Sequence, residues 1–204
     1  MINKLVSFLS YAELSKLAYF LLSITSWILG KRSRFTKTAE GLWVQKQDGI
    51  YFIDFTPNYR TMFSNLTDQG SDVFFHNYIP KRDDLCIDIG AGIGIGTYTM
   101  SNLVYNGKVL SIEASPKTYR ALQLCKEMNM LNNVSVYNLA ISNENGLIGI
   151  SDNIGHHTES SIIRNNDEAQ VVVKSITIDD FLAENKIDFV DYMKVNIEGA
   201  EKLL

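Results

Sequence analysis

Residues 88–99 read DIGAGIGIGTYT and place Asp88, Gly90, Gly92 and Gly94 at alternate positions, starting inside the apolar run LCIDI (85–89) and running on past its end. Glycines at that density let a backbone turn sharply and approach a ligand closely. Where a strand hands over to a helix, such a turn also lies beside the positive end of the helix dipole. The ligand suited to it is nucleotide-like, bound in the crevice beyond the strand C-termini of a doubly wound sheet. Two phosphate-binding patterns fail. For GxGxxG, the sixth position counted from Gly90, Gly92 or Gly94 is Ile95, Thr97 or Thr99, and no Gly-Lys-Ser/Thr follows that would make a P-loop. An NAD-dependent oxidoreductase is disfavoured on that ground.

The pattern that fits is DxGxGxG. An acid two residues ahead of the first glycine repels a pyrophosphate and suits a ligand carrying an ammonium group. S-adenosylmethionine has that group, a cationic sulfonium and no phosphate. Glu113 closes the second apolar run, 23 residues after Gly90, where a carboxylate can accept both hydroxyls of a ribose. NAD would use the same acid, so Glu113 alone does not discriminate; the missing third glycine does. A plain tight turn with Asp88 as a helix cap is the alternative. It loses weight against the position of Glu113 and the strand–helix alternation around it.

Those residues need a sheet to hold them. From residue 85 the chain reads as strand (LCIDI), helix (95–104), strand (KVLSIEA), helix (SPKTYRALQLCKEMNML, with Ser115 as N-cap and Pro116 in the first turn), and strand (NVSVYNLAI). Strands joined by helices of that length predict a mostly parallel sheet. The alternation breaks at 146–176, where GLIGIS and QVVVKSI predict antiparallel strands around a polar loop. Thr177-Ile-Asp-Asp180 then resembles a capping box before a helix, and DFVDYMKVNI is a fourth parallel strand. Upstream, LWVQKQDGIYFIDF predicts a hairpin turning at Asp48-Gly49, and 59–79 predicts two helical pieces broken near Gly70. The expected fold is α/β, a Rossmann-like doubly wound sheet, with an N-terminal extension over 1–35, a hairpin and helices over 36–82, and the cofactor-binding domain over 83–204.

The bulk numbers agree with one such core. The chain has 204 residues, 46% hydrophobic and 21% charged, with a net charge of -4. No long basic run follows residue 40, so nucleic acid is not an expected partner. Cys86 and Cys125 are the only two cysteines. They fall in a predicted strand and a predicted helix, as buried reduced thiols rather than a disulfide or zinc pair, which suits a cytoplasmic protein. The stretch 17–30, LAYFLLSITSWILG, has 14 residues without charge and is followed by KRSR; a membrane span wants about 20. It is read first as an amphipathic helix packed on the domain, and second as an interfacial helix with Trp27 and the basic cluster at lipid headgroups, a peripheral membrane contact through residues 1–35.

The five ordered blocks IDIGAGIGIGTYT, IEASPKTYRAL, NVSVYNLAISNENG, SITIDDF and MKVNIEGAE, spanning about residues 83–204, resemble the class I S-adenosylmethionine-dependent methyltransferases and, more narrowly, the FkbM family. The last block is the most specific. The resemblance implies methyl transfer from S-adenosylmethionine, generally to a hydroxyl of a glycan or small secondary metabolite. It implies Asp88, Gly90, Gly92 and Gly94 at the methionine end of the cofactor, Thr97 at the helix start, Glu113 at the ribose, and Asn138 and Ala140 near the adenine. Glu198 is implied as general base and Asn196 as holder of the acceptor or of the cofactor amino group. Lys194 is read either as a partner for one of the site carboxylates or as an exposed strand-edge lysine.

Two departures stand out. Asn196 occupies a position where an acid is frequent, and the sequence ends where the family continues into further strands, so the domain is expected to be incomplete at its C-terminus. Both favour an alternative, a non-catalytic cofactor-binding or membrane- or partner-interaction module. His156, His157 and Glu159 in the polar loop, with Ser160 and Ser161, are read as acceptor-selecting or solvated rather than as a metal site.

Overall fold

The computed structural model describes residues 15–55, 74–150, 162–163 and 171–197. Residues 59–73 of the two helical pieces expected over 59–79, the loop with His156 and His157, and Glu198 lie outside these; the described end of that stretch, 75–79, is not helical. Along the chain run α1 (Ser15–Ile28), β1 (Arg34–Lys37), β2 (Trp43–Gln47), β3 (Ile50–Asp54), β4 (Leu85–Ile89), α2 (Ile95–Leu103), β5 (Lys108–Ile112) and α3 (Pro116–Met128). They are followed by β6 (Val134–Tyr137), β7 (Ala140–Ile141), β8 (Gly146–Ile150), β9 (Ile162–Ile163), β10 (Val171–Ile176), α4 (Ile178–Glu184) and β11 (Tyr192–Val195).

The central sheet has the order β11-β4-β5-β6, all parallel. Successive strands step outward from β4 to β5 to β6, and β11 then returns to the other side of β4. This reversal leaves a crevice beyond the C-terminal ends of β4 and β11, the place where open α/β sheets bind ligands. One face of the sheet packs Ile87, Ile89, Leu110 and Ile112 against Phe181 of α4. The other packs Cys86 and Val109 against Met100 and Val104 of α2 and its C-terminal end. Both faces are covered, which is why these strands read as near-continuous apolar runs.

The expected third strand over 133–141 divides into β6 and β7. At Asn138 the chain leaves the central sheet, and β7 pairs with β10 in a second sheet of order β7-β10-β8-β9. In that sheet β8 and β10 are antiparallel, as their pattern predicts. Local signals at the helix starts hold. Ser115 Oγ accepts from Thr118 N–H ahead of α3, and Thr177 Oγ1 accepts from Asp180 N–H ahead of α4. The box at α4 closes through a third residue: the Thr177 N–H donates to Asn145 Oδ1, and Asn145 Nδ2 donates to Asp180.

The predicted hairpin is present, with positive φ at both Asp48 and Gly49 as a two-residue turn demands. It belongs to a three-stranded sheet, because β1 pairs antiparallel with β2. This meander covers the glycine turn and α3: Val44, Phe52 and Ile53 form one core with Ile93, Ala121 and Cys125. At its edge Asn129 completes the ladder, its Oδ1 accepting from Tyr51 N–H at 2.8 Å and its Nδ2 donating to Tyr51 C=O at 2.6 Å. Cys86 and Cys125 are buried and unpaired, and burial pushes both thiols up to about 12. No helix among the described residues is long and apolar enough to cross a membrane.

Candidate functional site

The site begins with a row of polar side chains set by strand register. Lys194 lies opposite Asp88, and Asp88 opposite Ser111, so three adjacent parallel strands present them on one sheet face. Lys194 Nζ donates to Asp88 Oδ1 at 2.8 Å and to the Gly90 carbonyl at 2.9 Å. From α2, Thr97 donates to Asp88 Oδ2 at 2.7 Å. Its single hydroxyl proton is thereby committed, so Ser111 Oγ, 2.9 Å away, is the donor to Thr97. Asp88, Thr97, Ser111 and Lys194 are all buried. Of the two readings of Lys194, pairing with a site carboxylate is the one observed, and exposure at a strand edge is not. The ammonium that meets Asp88 belongs to the chain itself, and Asp88 and Thr97 stand beneath the glycine turn rather than on its open side.

Four donors of the turn are tied inward. The N–H groups of Gly90 and Ala91 both donate to the Ile112 carbonyl, and that of Gly94 to Ala91. The N–H of Gly92 donates to Glu113 Oε2 at 2.9 Å. A phosphate nest needs such N–H groups free and convergent, and here those of Gly90, Ala91, Gly92 and Gly94 are consumed, in agreement with the failed phosphate patterns. Gly90 has a φ of +70°, and a Cβ built on it falls 1.9 Å from the Asn196 carbonyl. The end of β4 can therefore meet the end of β11 only through a glycine. Gly94, with a φ of +97° at the N-cap of α2, packs against Leu122 and Cys125 of α3. Gly92 looks onto open space.

Glu113, at the end of β5, accepts from Gly92 N–H and, at 3.0 Å, from Ser115 N–H. Burial raises its pKa above the ordinary glutamate value, and these two bonds only partly oppose that. A carboxylate has about four lone-pair positions, which leaves acceptor capacity for a diol. Asn138 donates to the Glu113 and Ala114 carbonyls, both at 2.9 Å, and so fixes the backbone after β5. Ala140 is buried in β7, in a core with Ile150 and Val173. Asn196 is exposed at the end of β11, its N–H donating to the Ile89 carbonyl.

The structure thus brings Gly90, Gly92, Glu113 and Asn196 to the crevice and sets Asp88, Thr97 and Lys194 as a buried support. Sequence reasoning placed no weight on Ser111. Its signal is the register of β5 against β4, which spacing alone does not reveal.

Among solved structures, the methyltransferase FkbM from Methylobacillus flagellatus KT is similar at 16% identity with a TM-score of 0.45, covering 70% of this chain and 35% of that one. TYW2 of P. horikoshii in complex with MeSAdo is 21% identical with a TM-score of 0.37, covering 64% and 53%. TYW2 of M. jannaschii in complex with AdoMet is 25% identical with a TM-score of 0.38, covering 50% and 44%. The chain spans about a third to a half of the length of these structures. No curated protein matches. The sequence itself matches the methyltransferase FkbM domain over residues 88–203, from the acid under the glycine turn to beyond β11. That match takes in more than half of the chain, including the ends of β4, β5 and β11, and the chain belongs to the FkbM methyltransferase domain family.

Proposed function

We propose that the chain binds S-adenosylmethionine in the crevice at the ends of β4, β5 and β11 and transfers its methyl group to a hydroxyl of a glycan or small metabolite. The observation that carries this reading is the glycine turn whose Gly90, Ala91, Gly92 and Gly94 N–H groups are spent within the fold, set beside the Glu113 carboxylate: a cradle suited to a ribose rather than to a phosphate. When bound, the cofactor supplies a methyl carbon already activated by a cationic sulfur. Glu113, held by Gly92 and Ser115, accepts the ribose hydroxyls. Lys194 and Asp88 fix the turn from below through the Gly90 carbonyl.

Asn196 orients the acceptor or the cofactor amino group from the opposite wall. Glu198, two residues further on in the sequence, would take the proton that the acceptor hydroxyl gives up as it receives the methyl group. Most of the acceleration comes from holding donor and acceptor in line, with the base adding its share.

Calorimetric titration of the purified chain with S-adenosylmethionine and, separately, with NAD tests the cofactor. Micromolar binding of the former alone is expected; binding of NAD, or of neither, overturns the reading. In Glu198→Gln, cofactor binding is expected to persist while methyl transfer to hydroxyl acceptors is lost. Unchanged turnover would remove Glu198 from the chemistry.

A further inference from the structure

We propose that α1 docks the protein on an anionic lipid surface, lying flat with its outward stripe among the acyl chains and its C-terminal cations at the headgroups. The inward side of this helix is partly polar while its outward side is apolar. The side turned to the meander makes hydrogen bonds: Ser26 Oγ accepts from Ser33 N–H at 2.9 Å, and Ser23 Oγ accepts from Phe35 N–H at 3.2 Å. Beneath it Gln45 Nε2 donates to Ser33 Oγ, and Gln47 Nε2 to the Lys31 carbonyl. Tyr19 meets Trp43 edge-on at 4.9 Å.

The side turned outward is apolar. Leu17, Phe20, Leu21, Ile24, Trp27 and Ile28 follow the i, i+3, i+4, i+7 spacing of one helix face, and all are exposed, Trp27 to 71% and Ile28 to 70%. The helix buries Ser26 and Leu22, is held to the domain through the Ser23 and Ser26 hydrogen bonds and Tyr19, and leaves its outward apolar stripe unspent.

Charge selects the occupant. Residues 15–37 contain no acid, while Arg32 and Arg34 are exposed just past the helix in a chain whose net charge is -4. A second copy of this face would offer those cations no partner; anionic headgroups do. Gly30, at a φ of +73°, ends the helix with the Lys31 N–H on the Ser26 carbonyl and its own N–H on that of Trp27. The chain therefore turns back to the domain at the cations, as an in-plane anchor requires. At 14 residues the helix is about 21 Å long, too short to span a bilayer.

The chain holds two tryptophans, and Trp43 is already buried, so a fluorescence change on lipid addition reports Trp27. The full chain is titrated with phosphatidylcholine vesicles with and without phosphatidylserine, and pelleting is followed in parallel. A blue shift and co-sedimentation with the phosphatidylserine vesicles are expected, weakening as salt is raised. Arg32→Gln and Arg34→Gln should each weaken partitioning about fivefold, and Ile24→Ser with Ile28→Ser at least tenfold, with an unchanged circular dichroism spectrum showing that α1 is kept. The proposal is overturned if neither vesicle shifts the emission, if phosphatidylcholine alone works equally well, or if the serine variant pellets like the parent. It is also overturned if the shift appears without lipid and tracks self-association in sedimentation, which would assign the face to a second copy. Cofactor binding plays no part in these readouts.

Discussion

The sheet face under the glycine turn and the outer face of α1 depart from ordinary sorting in opposite directions. The first buries a lysine and an aspartate; the second leaves six large apolar side chains in water. The central sheet itself follows the usual rule, with isoleucines and valines filling both its sides. A buried ion pair is weak evidence for stability, because desolvation offsets the attraction, and an exposed apolar stripe adds nothing to folding. In the proposed function the first shapes the turn at the cofactor, and in the proposed docking the second is held ready for a lipid surface.

Substitutions that break this contrast should have very unequal effects. Lys194→Met leaves Asp88 charged and buried with Thr97 as its remaining side-chain donor, and should lower unfolding free energy by about 3–5 kcal/mol in urea titration. Adding Asp88→Asn to it removes the orphaned charge and should bring the protein back toward the parent. A double variant no better than the single would mean that the lysine acts mainly through the Gly90 carbonyl. Gly90→Ala should cost about 2–4 kcal/mol, since the new methyl meets the Asn196 carbonyl at a φ that alanine avoids. Cofactor binding should be lost with it, because the ends of β4 and β11 are forced apart.

Glu113→Gln sharpens the contrast through pH. With its pKa raised in the folded state, Glu113 keeps a proton that the unfolded chain has already released between 4.5 and the raised value. Stability contributed there is present at low pH and falls as pH rises through that window. The glutamine variant should lose this slope in pH-resolved unfolding. Cofactor affinity should move the other way in the parent, improving as the carboxylate ionises, and be flat and about tenfold or more weaker in the variant, in line with about 1.5–3 kcal/mol for a bond to a charged acceptor. The smallest effect belongs to α1: Ile24→Ser should change stability by no more than about 0.5 kcal/mol. A loss of 2 kcal/mol or more there would show the stripe covered by protein.

Features written in short segments were legible in the sequence. Asp48-Gly49 marks its turn because two adjacent positive φ values suit few residue pairs, and Ser115-Pro116 and Thr177 mark their helix starts because caps are local chemistry. The glycine turn and the approximate places of the parallel strands were legible for the same reason. What escaped depends on residues far apart. β1 is hidden in the basic segment after α1 and becomes a strand only by pairing with β2. The division at Asn138 exists because β10 offers β7 a different sheet. The partner of Lys194 lies 106 residues away and is set by the register of β11 on β4. Spacing put Asp88 near the cofactor, but only the fold shows that its carboxylate faces down.

The side-chain amide of Asn129 closes the rim of the meander. A strand at the margin of a sheet normally leaves its peptide groups available to any extended chain that comes near, and stacking of further strands begins there. Tyr51 has both of its peptide groups taken by an amide projecting from just beyond α3, which acts as a one-residue strand with nothing beyond it to copy. If α1 gathers many molecules on a crowded surface, this terminated rim removes one route by which neighbours could join edge to edge and precipitate.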